Sequence, residues 1–188
     1  MENNIYLDVL SFENLETIRK WRNEVVKNGI FRTSYLLTYH MQKKFFDDVV
    51  NNRNSNSRYW GIFLKTYLKT YDKNDKLVYS LIGYTGIDKI QWENANAEIG
   101  LLISTECIGL GYGSKALKLV LNEAFNNMRL QNIYGECYKC NPNLAFWEKM
   151  IEKYNGYNTT LPARKFFDGC FFDSLYFNFN CYDFGEID

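Results

Sequence analysis

Proline and histidine are nearly missing from this chain: 188 residues hold two prolines and one histidine, His40. So few prolines, beside an aromatic fraction of 18%, exclude a proline-rich or disordered chain and favour a sheet-containing fold. A lone histidine leaves Cys107 and Cys140 without a base to make either a nucleophile, and His40 reads as a helix-start or surface residue. There is no excess of charge, with 22 basic against 22 acidic residues, so nothing marks nucleic acid or an anionic membrane as a partner. No apolar run approaches the roughly 20 residues that span a bilayer. Met1-Glu2-Asn3-Asn4 lacks the basic and apolar regions of a signal peptide. Five scattered cysteines, an odd number, argue against a secreted disulfide framework. The expectation is a cytoplasmic protein. Cys137-x-x-Cys140 is one pair where a zinc site commonly takes two, so no metal is expected.

What is present reads as one domain, residues 1–188, of alternating elements. Strands are expected at 5–10, 59–69, 77–90, 97–103, 132–138, 157–167 and 170–180. Helices are expected at 13–27, with Ser11 as a cap, and at 39–50, 112–128 and 143–154. Residues 51–57 read as a polar loop, 71–76 as a turn, and Asp168-Gly169 as a hairpin turn. Leu117, Val120, Leu121, Ala124 and Met128 form one apolar stripe. Antiparallel strands leading into one strand–helix–strand crossover give an α/β (α+β) fold with a mixed, mostly antiparallel seven-stranded sheet and helices on both faces.

The densest signal is Ala97-Glu98-Ile99-Gly100-Leu101-Leu102-Ile103 followed by Gly109-Leu110-Gly111-Tyr112-Gly113-Ser114. An extended apolar segment passes through a short loop into glycines that open a long helix. Unpaired N–H groups and the positive dipole end at such a start suit a phosphate or pyrophosphate, and glycines allow it close to the backbone. The spacing fits neither a dinucleotide fingerprint nor a Walker loop. A helix start that merely needs tight packing accounts for the same glycines.

The arrangement resembles the acetyl-coenzyme-A motif of the GNAT N-acetyltransferases, Gln/Arg-x-x-Gly-x-Gly/Ala, written here Ile108-Gly109-Leu110-Gly111-Tyr112-Gly113, with Ile108 departing from the first position. Ala97-Glu98-Ile99-Gly100, Trp21-Arg22-Asn23, Gln42-x-x-Phe45-Phe46, Asn141-Pro142-Asn143-x-Ala145 and Arg164 with Asp168-Gly169 and Asp173 resemble the branch of ribosomal-protein N-terminal and amino-sugar acetyltransferases. The resemblance covers nearly the whole chain. It implies a central splay between strands 97–103 and 132–138, with acetyl-CoA as co-substrate. Pantetheine would lie along Leu101, Leu102 and Ile103, pyrophosphate on Gly109, Gly111, Tyr112, Gly113 and Ser114, and Asn141 and Asn143 would touch the cofactor. Trp21, Arg22 and Asn23 would line the acceptor pocket.

Direct acetyl transfer needs a base for the ammonium, a donor for the oxyanion and an acid for the thiolate. Glu98 is the expected base, sharing a strand face with Gly100 and Leu102; a structural ion-pair partner is the competing reading. The resemblance implies a tyrosine acid on the helix after the fifth strand, for which Tyr154 is the expected residue, with a core aromatic as the competing reading and water as a substitute. The expected function is N-acetylation of an amino-sugar nucleotide or other small polar amine. The alternatives are a protein N-terminal acetyltransferase, a non-catalytic acyl-CoA-binding module and a nucleotide-binding protein. An exposed sheet edge is compatible with a homodimer.

Overall fold

A computed structural model describes residues 5–68 and 76–184. The expected turn at 71–76 lies, but for Lys76, outside the described residues. The element order is β1 (Ile5–Val9), α1 (Leu15–Val26), α2 (Tyr39–Phe45), β2 (Arg58–Leu68), β3 (Lys76–Gln91), β4 (Asn96–Ile103), α3 (Tyr112–Asn122), β5 (Asn132–Tyr138), α4 (Leu144–Lys153), β6 (Tyr157–Phe167), β7 (Cys170–Asn180) and a short α5 (Cys181–Phe184). Seven strands form one sheet in the order β1-β2-β3-β4-β5-β7-β6. Only β4 and β5 pair in parallel, as a strand–helix–strand crossover requires.

Alternation along the strands sorts the two faces. Ala97 and Ile99 of β4, Ile133 and Cys137 of β5, and Leu175, Phe177 and Phe179 of β7 point to one side. There they form the main core with Leu117, Val120, Leu121 and Ala124 of α3 and Met150 and Ile151 of α4. The α3 stripe read from sequence is the face that packs, and Met128 reaches the same cluster partly buried. The ladder of α3 widens into a π turn over Glu123–Asn127, where sequence alone suggested unbroken helix. The second helix does the same over Phe46–Val50.

On the opposite face, Phe45 stacks edge-on against Tyr59 of β2 at 5.1 Å between centroids. Asn23 of α1 holds the chain between α1 and α2. Its amide donates to Leu37 O at 2.9 Å and its Oδ1 accepts from Leu37 N–H at 2.7 Å. Ser11 precedes a 3-10 turn over Phe12–Asn14, and its N–H and hydroxyl both donate to Asn14 Oδ1.

Two irregularities redirect side chains. The register of β3 against β4 shifts between Asp88 and Gln91, where Lys89 has φ 52°. The register of β6 against β7 shifts between Leu161 and Lys165, where Ala163 has φ 50° and its N–H donates to Asp173 Oδ1. Bulges of this kind break alternation and re-aim the neighbouring side chains. Here they deliver Lys89, Arg164 and Lys165 to the face that carries Glu98.

Candidate active site

The sheet splits between its two parallel strands. Asn96, Ala97 and Glu98 pair with Asn132, Ile133 and Tyr134, and the pairing stops there. Beyond that point β4 stays on β3 as far as Ile103 opposite Gly83. Meanwhile β5 stays on β7 as far as Tyr138 opposite Ser174. Two backbone edges therefore face each other without a ladder between them, and their N–H and C=O groups need a partner. Ser104 N–H donates to Ile82 O, on the β3 side, at 2.8 Å. Backbone groups alternate sides along a strand, so those of Leu101 and Ile103 face the gap. Leu102 does not share that placement. Its backbone points to β3 and its side chain is buried, which removes it from the pantetheine contacts expected from sequence.

The glycine loop stands at the mouth of the gap, directly after β4. Gly109 and Gly111 have φ of 82° and 80°, in the left-handed region, and a Cβ at either would meet nothing within 4 Å. Glycine there serves backbone conformation and leaves free space above the loop. Gly111 caps α3 with no side chain, and the first N–H groups of the helix project toward that space. Gly113 lies close under α4, where a Cβ would come within 3.2 Å of Phe146 Cε2. Ser114 sits half-buried in the first turn. Tyr112 turns its ring into the core beside Ile62, Ile82 and Ala116, so its backbone alone belongs to the loop surface. Asn141 and Asn143 form the opposite rim: Asn141 Oδ1 accepts from Asn143 N–H at 2.9 Å in the turn that opens α4.

Glu98 stands at the vertex of the split, on the α1/α2 face with Gly100. It is doubly ion-paired, to Arg32 at 2.6 Å and to Lys89 at 2.5 Å. Burial raises its pKa, but the hydrogen bonds from Arg32 and Lys89 outweigh burial, and the carboxyl titrates below the ordinary glutamate range. Across the gap, Glu136 of β5 accepts from Arg164 Nε at 3.0 Å and from Ser174 Oγ at 2.7 Å, and lies 3.7 Å from Arg32. Burial raises its pKa, and Arg164 and Ser174 pull it below the ordinary value. Arg32 thus spans both carboxylates. Gly100, between Glu98 and Leu102, would place a Cβ in open space. The open space above it, on the face that carries Glu98 with its partner Arg32 and the β3 position Tyr84 opposite Leu102, is the candidate acceptor hollow.

Tyr154 does not join this site. It is 1% exposed, packed on Phe179 and Phe184, and its hydroxyl has no hydrogen-bond partner among the described residues. Phe179 lies opposite Ile133, at the closed end of the split. The reason is directional: α4 starts at the open rim beside Asn143 and runs back, so its far end is about 15 Å away along the helix axis. The tyrosines that do lie along the gap are Tyr134, in register with Glu98, and Tyr138. Asn23 is spent on Leu37, and Trp21 is half-buried on α1. Cys137 is a core residue whose thiol burial pushes up to about 12. Cys140 is half-buried with its Sγ 3.9 Å from Gly29 O.

Sequence reading missed Arg32, Tyr134 and Glu136. Glu136 had a usable signal, since it shares the alternation of β5 with Tyr134 as Glu98 shares that of β4. Arg32 had none, because 66 residues separate it from Glu98.

Residues 5–145 match the family described as the acetyltransferase (GNAT) domain. The chain belongs to this family and is an N-acetyltransferase. Among solved structures, it is similar to spermidine N-acetyltransferase from Vibrio cholerae in complex with CoA and spermine, at 17% identity and a TM-score of 0.77, covering 97% of this chain and 98% of that one. A chimera of that enzyme with hSSAT aligns at 16% identity and a TM-score of 0.73, covering 96% and 97%. The same enzyme in complex with manganese ions aligns at 16% and 0.70, covering 96% and 94%. At these identities the likeness concerns the fold. A comparison with curated protein sequences found no match.

Proposed function

We propose that the protein moves an acetyl group from acetyl-CoA directly to the primary amine of a small polar acceptor. One observation carries the reading: two unpaired strand edges run from the glycine loop to a carboxylate at the vertex of the split. The gap is shaped for an extended arm that borrows strand hydrogen bonds, with Leu101 and Ile103 as its partners. The N–H groups around Gly111, Gly113 and Ser114 suit the pyrophosphate at the head of that arm. The solved relative described as a complex with CoA and spermine supports an acyl donor and a small amine on this fold.

Glu98, ionised across the ordinary pH range, takes the proton of the acceptor ammonium, directly or through a water in the open space over Gly100. The freed amine nitrogen attacks the thioester carbon, and unpaired N–H groups on the β4 edge steady the oxyanion. The N–C bond forms first, and the C–S bond breaks as the oxyanion collapses back to a carbonyl. The hydroxyl of Tyr134, opposite Glu98, protonates the leaving thiolate, the second proton of the acylated nitrogen passes to the Tyr134 oxygen and restores that hydroxyl, and Glu98 returns the first proton to solvent. Arg32, spanning Glu98 and Glu136, narrows the acceptor entrance and favours a small molecule over a peptide.

Native mass spectrometry followed by a thiol-release assay over an amine panel tests the reading. The expected result is one CoA or acetyl-CoA per chain and thiol release that depends on an amine. Thiol release independent of every amine would overturn it.

A further inference from the structure

We infer that the acceptor amine carries an anionic group, a carboxylate or a phosphate, and that Arg22 seats that group; this rests on the acetyl-transfer reading above. Arg22 is a half-buried guanidinium without an acid. It makes no ion pair among the described residues. Its Nε is cut off from solvent with no hydrogen-bond acceptor. What it does have is the ring of Phe31, 5.4 Å from Cζ to centroid. A partly desolvated cation left in that state is costly unless something negative arrives, and an arginine fork matches carboxylate and phosphate geometry.

Its position puts that uncompensated charge in the acceptor hollow. Phe31 adjoins Arg32, which holds Glu98. The charge of Arg22 acts on the hydroxyls of Tyr59 and Tyr84. Tyr84 lies opposite Leu102, and Tyr59 lies opposite Gly86, itself opposite Gly100. From Glu98 to Gly100 or Leu102 is two or four strand residues, about 7 to 13 Å. The inferred acceptor spans this stretch, with its amine at Glu98 and its anion drawn toward Arg22.

The surrounding charge points the same way. Arg22, Arg32, Lys89, Arg164 and Lys165 converge on this face, against Glu98, Glu136 and Asp88. Asp88 is already engaged by the Ser57 hydroxyl and by Lys89 N–H. Lys165 is 5% exposed and spends its ammonium on Phe31 O at 2.8 Å and Ser34 Oγ at 2.9 Å, over the Tyr138 ring, with no carboxylate partner among the described residues. Both strand bulges work to bring these cations in. A second ammonium on the acceptor would enter a hollow with surplus positive charge, whereas an anion would be drawn to it.

Matched acceptor pairs decide the matter: 6-aminohexanoate against hexylamine, 4-aminobutyl phosphate against 4-aminobutanol, and spermidine alongside. The 188-residue chain should prefer the anionic member of at least one pair at least tenfold in kcat/KM, and accept spermidine worst. Which pair shows the larger ratio tells carboxylate from phosphate. Arg22→Gln should cut that ratio at least tenfold through KM for the anionic member, and Arg22→Lys should restore part of it. Thermal unfolding of each variant separates misfolding from lost recognition. Preference for spermidine or for the uncharged members would overturn the inference while leaving acetyl transfer standing. A rise in KM for acetyl-CoA instead of the acceptor would also overturn it, by assigning Arg22 to the donor. If no amine at all is acetylated, the acetyl-transfer reading falls and this inference falls with it.

Discussion

The glycine loop and the charged hollow are both reached from β4, one past its end and the other beside Glu98, yet they are made of different material. The loop side is backbone: left-handed glycines at 109 and 111, a helix start capped by no side chain, and strand edges at Leu101 and Ile103. The hollow is side chains: Glu98 from β4, Glu136 from β5, Arg32 from the chain before α2, Lys89 from a bulge in β3, and Arg164 from a bulge in β6. A backbone cradle depends on conformation and tolerates most neighbours, so Ile108 at the first motif position does not disturb it. A charged hollow depends on every partner at once, and it can be retuned by single substitutions. The donor side is thus suited to one constant ligand, and the acceptor side to whatever amine the particular protein serves.

The contrast can be broken most severely on the backbone side. Gly111→Asp and Gly113→Asp place a carboxylate against the proposed pyrophosphate seat; the first adds strain at positive φ and the second crowds Phe146. Each should weaken acetyl-CoA binding by at least about 100-fold, read by titration calorimetry. Wild-type affinity in both variants would remove the loop from the donor site.

Glu98→Gln comes next, with an expected loss of about 100-fold in kcat/KM. Arg32 and Lys89 more than offset burial and hold this carboxyl below its ordinary pKa, so it stays ionised, and able to accept a proton, well into the acidic range. The loss should therefore be largest where the amine is protonated and should shrink as pH approaches the amine's own pKa. A pH–rate profile identical to wild type would leave Glu98 as an ion-pair partner only.

Tyr134→Phe should lower kcat about tenfold with little change in KM, measured with any accepted amine; an equal fall in kcat for Tyr154→Phe would reverse the assignment of the acid. The smallest effect is expected at Tyr154 itself. Its hydroxyl is buried without a partner among the described residues, so Tyr154→Phe should leave stability unchanged or raise it by about 1 kcal/mol, read from the denaturant midpoint, with kcat unaltered.

Much of the fold is legible because it rests on local patterns. The bounds of β5, β6 and β7 match those expected from sequence, and the Asp168-Gly169 turn adopts the two positive φ values that its residues invite. Every expected helix forms, although two of them widen into π turns that no local propensity announces. Less of the site is legible. Glu98 and the glycines stand out as single-strand and single-loop features. Tyr154 is misplaced by sequence because its distance from the gap depends on the direction of α4, and Leu102 because its backbone direction depends on which neighbour β4 keeps.

The order of strands and helices, the glycine-opened helix after β4 and the carboxylate on that strand are all written in the chain itself. They arise from interactions among residues close in sequence, where periodicity and backbone freedom act directly. Long-range packing was needed to bring Arg32 to Glu98 across 66 residues, to set Glu136 facing it from the next strand, and to seat Arg22 over Phe31 with no acid among the described residues to meet it. Those arrangements depend on bulge positions and on where the sheet parts. Both are set by the packing of the whole, since the energy of a charge depends on what every other element brings near it.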